Sequence, residues 1–200
     1  MGLHTPHEKA SLPIRSESMS ANALDRTAGD GGPIIQKALR LVQRDELVQA
    51  VNVLRSNAQT PSIRNALGVC LMRAGQVDEA VRIFRNLVLN AGSTWERPEV
   101  PARYKRNFAT ALLIAGLPGG CLDVLRQIEE PDHPHVVGLR AAIKDWEKSL
   151  SFWRRWDWKL NGVEPPQRTI AIAFTPGEFE HTFAEELPIA AVPRTHQSRV

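Results

Sequence analysis

From residue 33 to about residue 160, apolar residues recur at intervals of three and four, and a glycine or proline interrupts the pattern roughly every 12 to 20 residues. That rhythm predicts a succession of short amphipathic helices, with no strand-like alternation of any length. The pattern is absent from both flanks. Residues 1–32 are polar, rich in Ser, His and Gly, and carry Pro6 and Pro13. A segment of that composition buries too little apolar surface to order itself, so disorder is expected there. Residues 162–200 form an irregular extension with prolines at 165, 166, 176, 188 and 193. Within it the run TIAIAF, Thr169 to Phe174, reads as one short strand. The following PGEFEHTFAEELP carries four glutamates and no basic residue other than His181. The last dozen residues are expected to be loose.

The helical part contains a repeat. In RNALGVCLMRAGQVDEAVRIFRNLVLN (Arg64 to Asn90), Leu67-Gly68 is followed by Leu71, Gly75, Ala80, Phe84 and Leu87. Small residues at 68 and 80 let two helices approach closely, and Gly75 suits the left-handed turn that ends the first helix. Asp78 and Glu79 suit the positive end of the second. KRNFATALLIAGLPGGCLDVLRQI repeats the spacing with Phe108-Ala109, Leu112, Gly116, Cys121, Leu125 and Ile128, offset by 41 residues from Leu67 to Phe108. A weaker copy, with Ala38, Leu41, Asp45, Ala50 and Leu54, precedes both and lacks the glycine between helices. The middle copy resembles a tetratricopeptide repeat, whose usual period is about 34 residues; with the two outer copies the resemblance covers roughly 100 residues, within a TPR-like helical repeat domain of residues 33–161. It implies an all-α fold: a short tetratricopeptide-like (TPR-like) α-solenoid of helical hairpins with a C-terminal capping helix and an irregular extension.

The capping helix is HVVGLRAAIKDWEKSLSFWRRWDWKL. Read as one helix, it places Leu139, Ala142, Trp146, Leu150, Trp153, Trp156 and Leu160 on a single face. Asn161-Gly162 ends it. Burial of that face on the preceding hairpin is the expected role of Trp153 and Trp156. Phe152, Arg155 and Trp158 lie off the stripe and form a second candidate patch, open either to the C-terminal extension (Ile170, Ile172, Phe174) or to a partner. Aromatics beside Arg154 and Arg155 also have the composition of a nucleic-acid stacking surface or a membrane-surface helix.

A net charge of +3 is too small to argue for nucleic acid alone, so nucleic acid is not the expected partner. The N-terminus reads as carrying no signal peptide, and Pro6 replaces the Ser or Thr of a myristoylation motif. No apolar run reaches the roughly 18 residues of a membrane span. Cys70 and Cys121 sit in apolar helical patterns and read as reduced core residues, which together with the rest suggests a cytoplasmic protein. No catalytic motif is present. Asp132-His133-Pro134-His135 lacks a third metal ligand nearby and reads as a solvated loop. Glu178, Glu180 and His181 read as an exposed tail, having neither visible burial nor a charged partner to tune them. The expectation is therefore a non-enzyme without cofactor or metal.

The resemblance implies where a partner would sit. Tetratricopeptide domains typically hold a peptide against the first helix of each hairpin. The corresponding positions are Asn65, Val69, Met72 and Arg73 in the middle copy, and Arg103, Arg106, Thr110 and Leu113 in the next. A groove of apolar and basic groups suits an extended or helical protein or peptide segment of acidic character. Asn65, Arg103, Arg106 and Asn107 match the variant that clamps a chaperone's terminal carboxylate only in part.

Overall fold

A computed structural model describes residues 31–90, 92, 97, 99–162 and 170–180 of the chain. The disorder expected for residues 1–30, the junction 163–169 and the looseness expected near residue 200 lie outside these residues. Among the described residues there are eight helices and no sheet. They are α1 (Gly32–Gln43), α2 (Leu47–Arg55), α3 (Pro61–Arg73), α4 (Val77–Val88), α5 (Ala102–Ile114), α6 (Pro118–Arg126), α7 (Pro134–Ser149) and α8 (Phe152–Asn161). The strand expected in TIAIAF is not formed: residues 170–174 are irregular, with Ile170 buried and Ile172 and Phe174 packed against the helical core. Their apolar side chains lie against helices, and among the described residues no strand pairs with their backbone.

The first six helices make three hairpins, α1/α2, α3/α4 and α5/α6, each also packed on the next. The first helices α1, α3, α5 and α7 touch in sequence, so they line up side by side. Local chemistry sets the boundaries. Thr60 Oγ1 accepts the Ile63 amide at 3.3 Å, and Pro61 opens α3. Gly75 takes φ +77° after α3, with Gly75 N bonded to Met72 O and Gln76 N to Leu71 O, which closes the helix end. Gly116 repeats this turn after α5. In the first hairpin, where the glycine is missing, Asp45 occupies the left-handed region at φ +62° and makes the matching bonds, Asp45 N to Val42 O and Glu46 N to Leu41 O.

Close approach within the middle hairpin has a direct measure. A Cβ on Gly68 would lie 2.5–2.8 Å from three atoms of the Phe84 ring. Phe84, Leu71, Leu54, Leu113 and Leu139 are among the fully buried side chains that run through successive hairpins as one core. Cys70 and Cys121 are buried and unpaired, and burial pushes both thiols up to about 12.

The capping segment differs from the single helix expected. The backbone turns extended at Leu150 (ψ 142°) and Ser151 (ψ 157°), which separates α7 from α8. The break resets the helical phase, so the stripe of Trp146 does not continue into Trp153 and Trp156. Trp158 folds back instead. Its ring meets Trp146 edge-on at 5.3 Å, and its Nε1 donates to Glu147 Oε1 at 3.0 Å. Arg155 donates to the carbonyls of Glu147, Lys148 and Leu150, satisfying the open end of α7. Trp153 is 78% exposed, Phe152 and Leu160 65% each and Trp156 56%, against 9% for Trp158. The expected burial of Trp153 and Trp156 is thus reversed. Of the second candidate patch, only Phe152 remains exposed as an apolar group; Arg155 and Trp158 are bound within the fold. Trp158 is covered by Trp146.

Candidate functional site

The side-by-side first helices α3 and α5, with the start of α7, enclose a groove, and residues 174–180 of the chain lie in it. Phe174 leads in, its ring 4.8 Å from that of His135 and tilted by 33° to it, and set against Gly138. Beyond Pro176 the chain crosses α3. Arg73 donates through Nε to the Pro176 carbonyl and through a terminal nitrogen to the Gly177 carbonyl, both at 2.9 Å. The Arg73 guanidinium also lies 4.9 Å from the centroid of the Phe179 ring, which is buried. Val69 and Met72 form the floor under Gly177. A Cβ there would come within 2.8–3.0 Å of them, and Gly177 has φ +76°, so both space and backbone select glycine.

Helix α5 holds the next residue on three sides. Asn107 Oδ1 accepts the Glu178 amide at 2.8 Å while Asn107 Nδ2 donates to the Glu178 carbonyl at 2.9 Å. Asn107 Nδ2 also donates to Asn65 Oδ1 at 2.9 Å, joining α5 to α3 beneath the segment. Asn65 Nδ2 is buried and has no hydrogen-bond partner among the described residues. Arg106 grips the Glu178 carboxylate with two bonds, Nε to Oε1 at 3.0 Å and a terminal nitrogen to Oε2 at 2.7 Å. Its remaining nitrogen pairs with Glu130. His135 Nδ1 lies 2.8 Å from Glu178 Oε1, and Arg103 Nε stands 3.9 Å from Oε2. Tyr104 donates its hydroxyl hydrogen to Glu180.

These surroundings set the charge states. Burial alone would raise the Glu178 carboxyl, but His135 and Arg106 outweigh it and bring the group down to about 2. Burial, helped by Arg106, holds His133 below the ordinary imidazole value. That suits its role at the start of α7, where its Nδ1 accepts the His135 amide at 3.3 Å. Burial also raises the Tyr104 hydroxyl, with Glu180 adding to it.

Asn65, Val69, Met72, Arg73, Arg103 and Arg106, all expected at the groove, gather around residues 176–179. Thr110 does not: its hydroxyl bonds back to the Arg106 carbonyl at 2.8 Å. Leu113 is buried in the core. Asn107 matches the carboxylate-clamping variant only in part; the stronger signal is that it interrupts the apolar stripe of α5, since an asparagine inside a buried helical face demands a partner. Other participants were not expected at the groove. His133 and His135 read as a solvated loop, and Glu178 as an exposed tail; the fold supplies the burial and the charged partners that the sequence did not display. Among the described residues no group of three or more His, Cys, Asp and Glu is arranged to hold a metal ion, and no helix is long and apolar enough to cross a membrane. Compared with models of known protein families, with curated proteins and with solved structures, the chain matches none.

Proposed function

We propose that this protein is a non-enzymatic interaction module, a short tetratricopeptide-like solenoid that binds an acidic peptide segment of a partner protein in the groove of α3, α5 and α7. One observation carries the reading: Arg73 and Asn107, from adjacent first helices, together bond three consecutive backbone positions of one irregular, non-helical segment. Backbone-directed bonds of this kind hold a peptide in register whatever its side chains, and the neighbouring Arg103 and Arg106 favour acidic sequences, with His135 Nδ1 within hydrogen-bond distance of the same carboxylate. The groove's ionisable groups are ion-paired and hydrogen-bonded, which supports a binding role. The buried free thiols suit a reducing, cytoplasmic setting.

Selection from a random peptide library tests this, with full-length Glu178→Lys protein as bait so that the internal segment is loosened. Enrichment of acidic peptides that is lost when Asn107→Leu is added, with the helical circular dichroism unchanged, is the expected result. No enrichment over the Asn107→Leu protein would remove the groove as a binding site.

A second reading, a nucleic-acid-associated domain, has the exposed face of α8 in its favour. Trp153, Arg154, Trp156, Asp157, Leu160 and Asn161 line a depression of about 360 Å³ there. Oligonucleotide affinity that falls steeply with salt would support it, and absence of binding at low salt would end it. Residues 170–174 offer no strand for a partner's sheet to pair with, since they are irregular and Ile170 and Phe174 are engaged with this chain's own helices.

A further inference from the structure

Residues 176–180 do more than fill the groove; each is met by a different chemistry, and together they spell out what the groove accepts. The first position contributes only a carbonyl, to Arg73. The second has no room for a side chain, because Val69 and Met72 close over it, and its positive φ excludes most L-residues. The third must present a carboxylate to the fork of Arg106, with His135 and Arg103 beside it. The fourth is an aromatic ring under the Arg73 guanidinium. The fifth is an acceptor for the Tyr104 hydroxyl.

We propose that the groove recognises partner peptides with the pattern glycine, acidic residue, aromatic residue, acidic residue, and that Gly177-Glu178-Phe179-Glu180 is an internal ligand that such a peptide displaces. The inference rests on the interaction reading above and names its ligand. Displacement is an exchange of like for like. Every hydrogen bond and ion pair that the segment makes with Arg73, Asn107, Arg106 and Tyr104 is remade by an incoming peptide of the same pattern, so no buried charge is stranded at the end state. Arg106 explains why the groove would not stand empty: without Glu178 its charge is balanced by Glu130 alone. The internal segment competes with the advantage of attachment to the same chain, an effective concentration of roughly millimolar for a short linker. A free peptide therefore meets a groove already screened against weak binders, and specificity follows from having to match all four positions.

The probe is a fluorescein-labelled peptide of residues 170–180, IAIAFTPGEFE, titrated by anisotropy into full-length protein. The Gly177→Val/Glu178→Lys variant, whose own segment no longer fits, should bind it at least about tenfold more tightly than the unaltered chain. Peptides with alanine for the glycine, or lysine for the first glutamate, should lose about tenfold or more. A milder variant, Phe179→Ala, gives the same ordering should the double substitution unfold the protein. Equal affinity for both proteins, or indifference to the glycine and the glutamate, overturns the proposal. So does a dimer of the unaltered chain that the double variant abolishes, since the segment would then serve a second copy. Peptides selected from a random library without the pattern overturn this inference and leave the interaction reading standing; failure to select any peptide removes both.

Discussion

Asn107 reads Glu178 by its backbone alone: one amide side chain accepts the Glu178 N–H at 2.8 Å and donates to the Glu178 carbonyl at 2.9 Å. The Glu178 side chain is met instead by Arg106, His135, Arg103 and His133. Register and charge are thus fixed by different residues of the groove, and they can be perturbed separately.

Replacement of Gly177 by alanine tests the register. The added methyl would meet Met72 and Val69 at 2.8–3.0 Å in a backbone conformation unfavourable to alanine. A cost of about 1–3 kcal/mol to docking is expected. Hydrogen exchange should show loss of protection at the Glu178 amide while the amides of α4 keep theirs.

The charge should appear as acid sensitivity. The folded-state value of Glu178, about 2, lies below its ordinary 4.5, so its contribution is fully present above pH 4.5 and is lost as pH falls toward 2. The groups facing it are Arg103 and Arg106 from α5, His133 and His135 at the start of α7, and Glu130 before it. Glu178→Gln should lower stability by about 3 kcal/mol near pH 6, with the gap from the unaltered chain closing between pH 4.5 and 2. Thermal melts of the two proteins across that range are the measurement, and a gap independent of pH would contradict the ion pair.

Gly68 sets the spacing of the middle hairpin. Gly68→Ala puts a methyl 2.5–2.8 Å from the Phe84 ring and should cost about 1–3 kcal/mol. In a protein of this size each kcal/mol lowers the melting midpoint by about 2–4 °C. Phe84→Leu in the same chain should recover part of the loss relative to the sum of the two single changes, because it frees the space the methyl needs.

The tryptophans of α8 should behave oppositely. Trp158→Ala removes the edge-on contact with Trp146 and the bond to Glu147, and a loss of about 3–5 kcal/mol is expected. Trp153→Ala, at an exposed site, should change stability by less than about 0.5 kcal/mol. Fluorescence would separate them as well: Trp158→Phe should shift the remaining emission to the red, toward that of water-exposed indole.

Helical hairpins were legible in the sequence because apolar spacing and turn residues are local signals. Gly75 and Gly116 announce their turns, whereas Asp45 performs the same turn without announcing it. The break at Leu150–Ser151 was not legible, since nothing in SLS disrupts helical spacing by itself. One misplaced helix end was enough to turn Trp153 and Trp156 from core to surface. Six of the residues that the tetratricopeptide resemblance singles out lie around residues 176–179. The occupant of the groove was not legible, because Glu178 lies 72 residues from Arg106 and Gly177 lies 104 from Arg73, and no periodicity links such positions.

That separation also orders events in time. The three hairpins rest on contacts between neighbouring helices, which close short loops and form early. Residues 176–180 must return across more than a hundred positions to reach α3. During synthesis α3, α5 and the start of α7 are complete before those residues leave the ribosome. On the interaction reading proposed above, the interval before residues 176–180 arrive is the one in which a peptide of another chain meets no internal competitor.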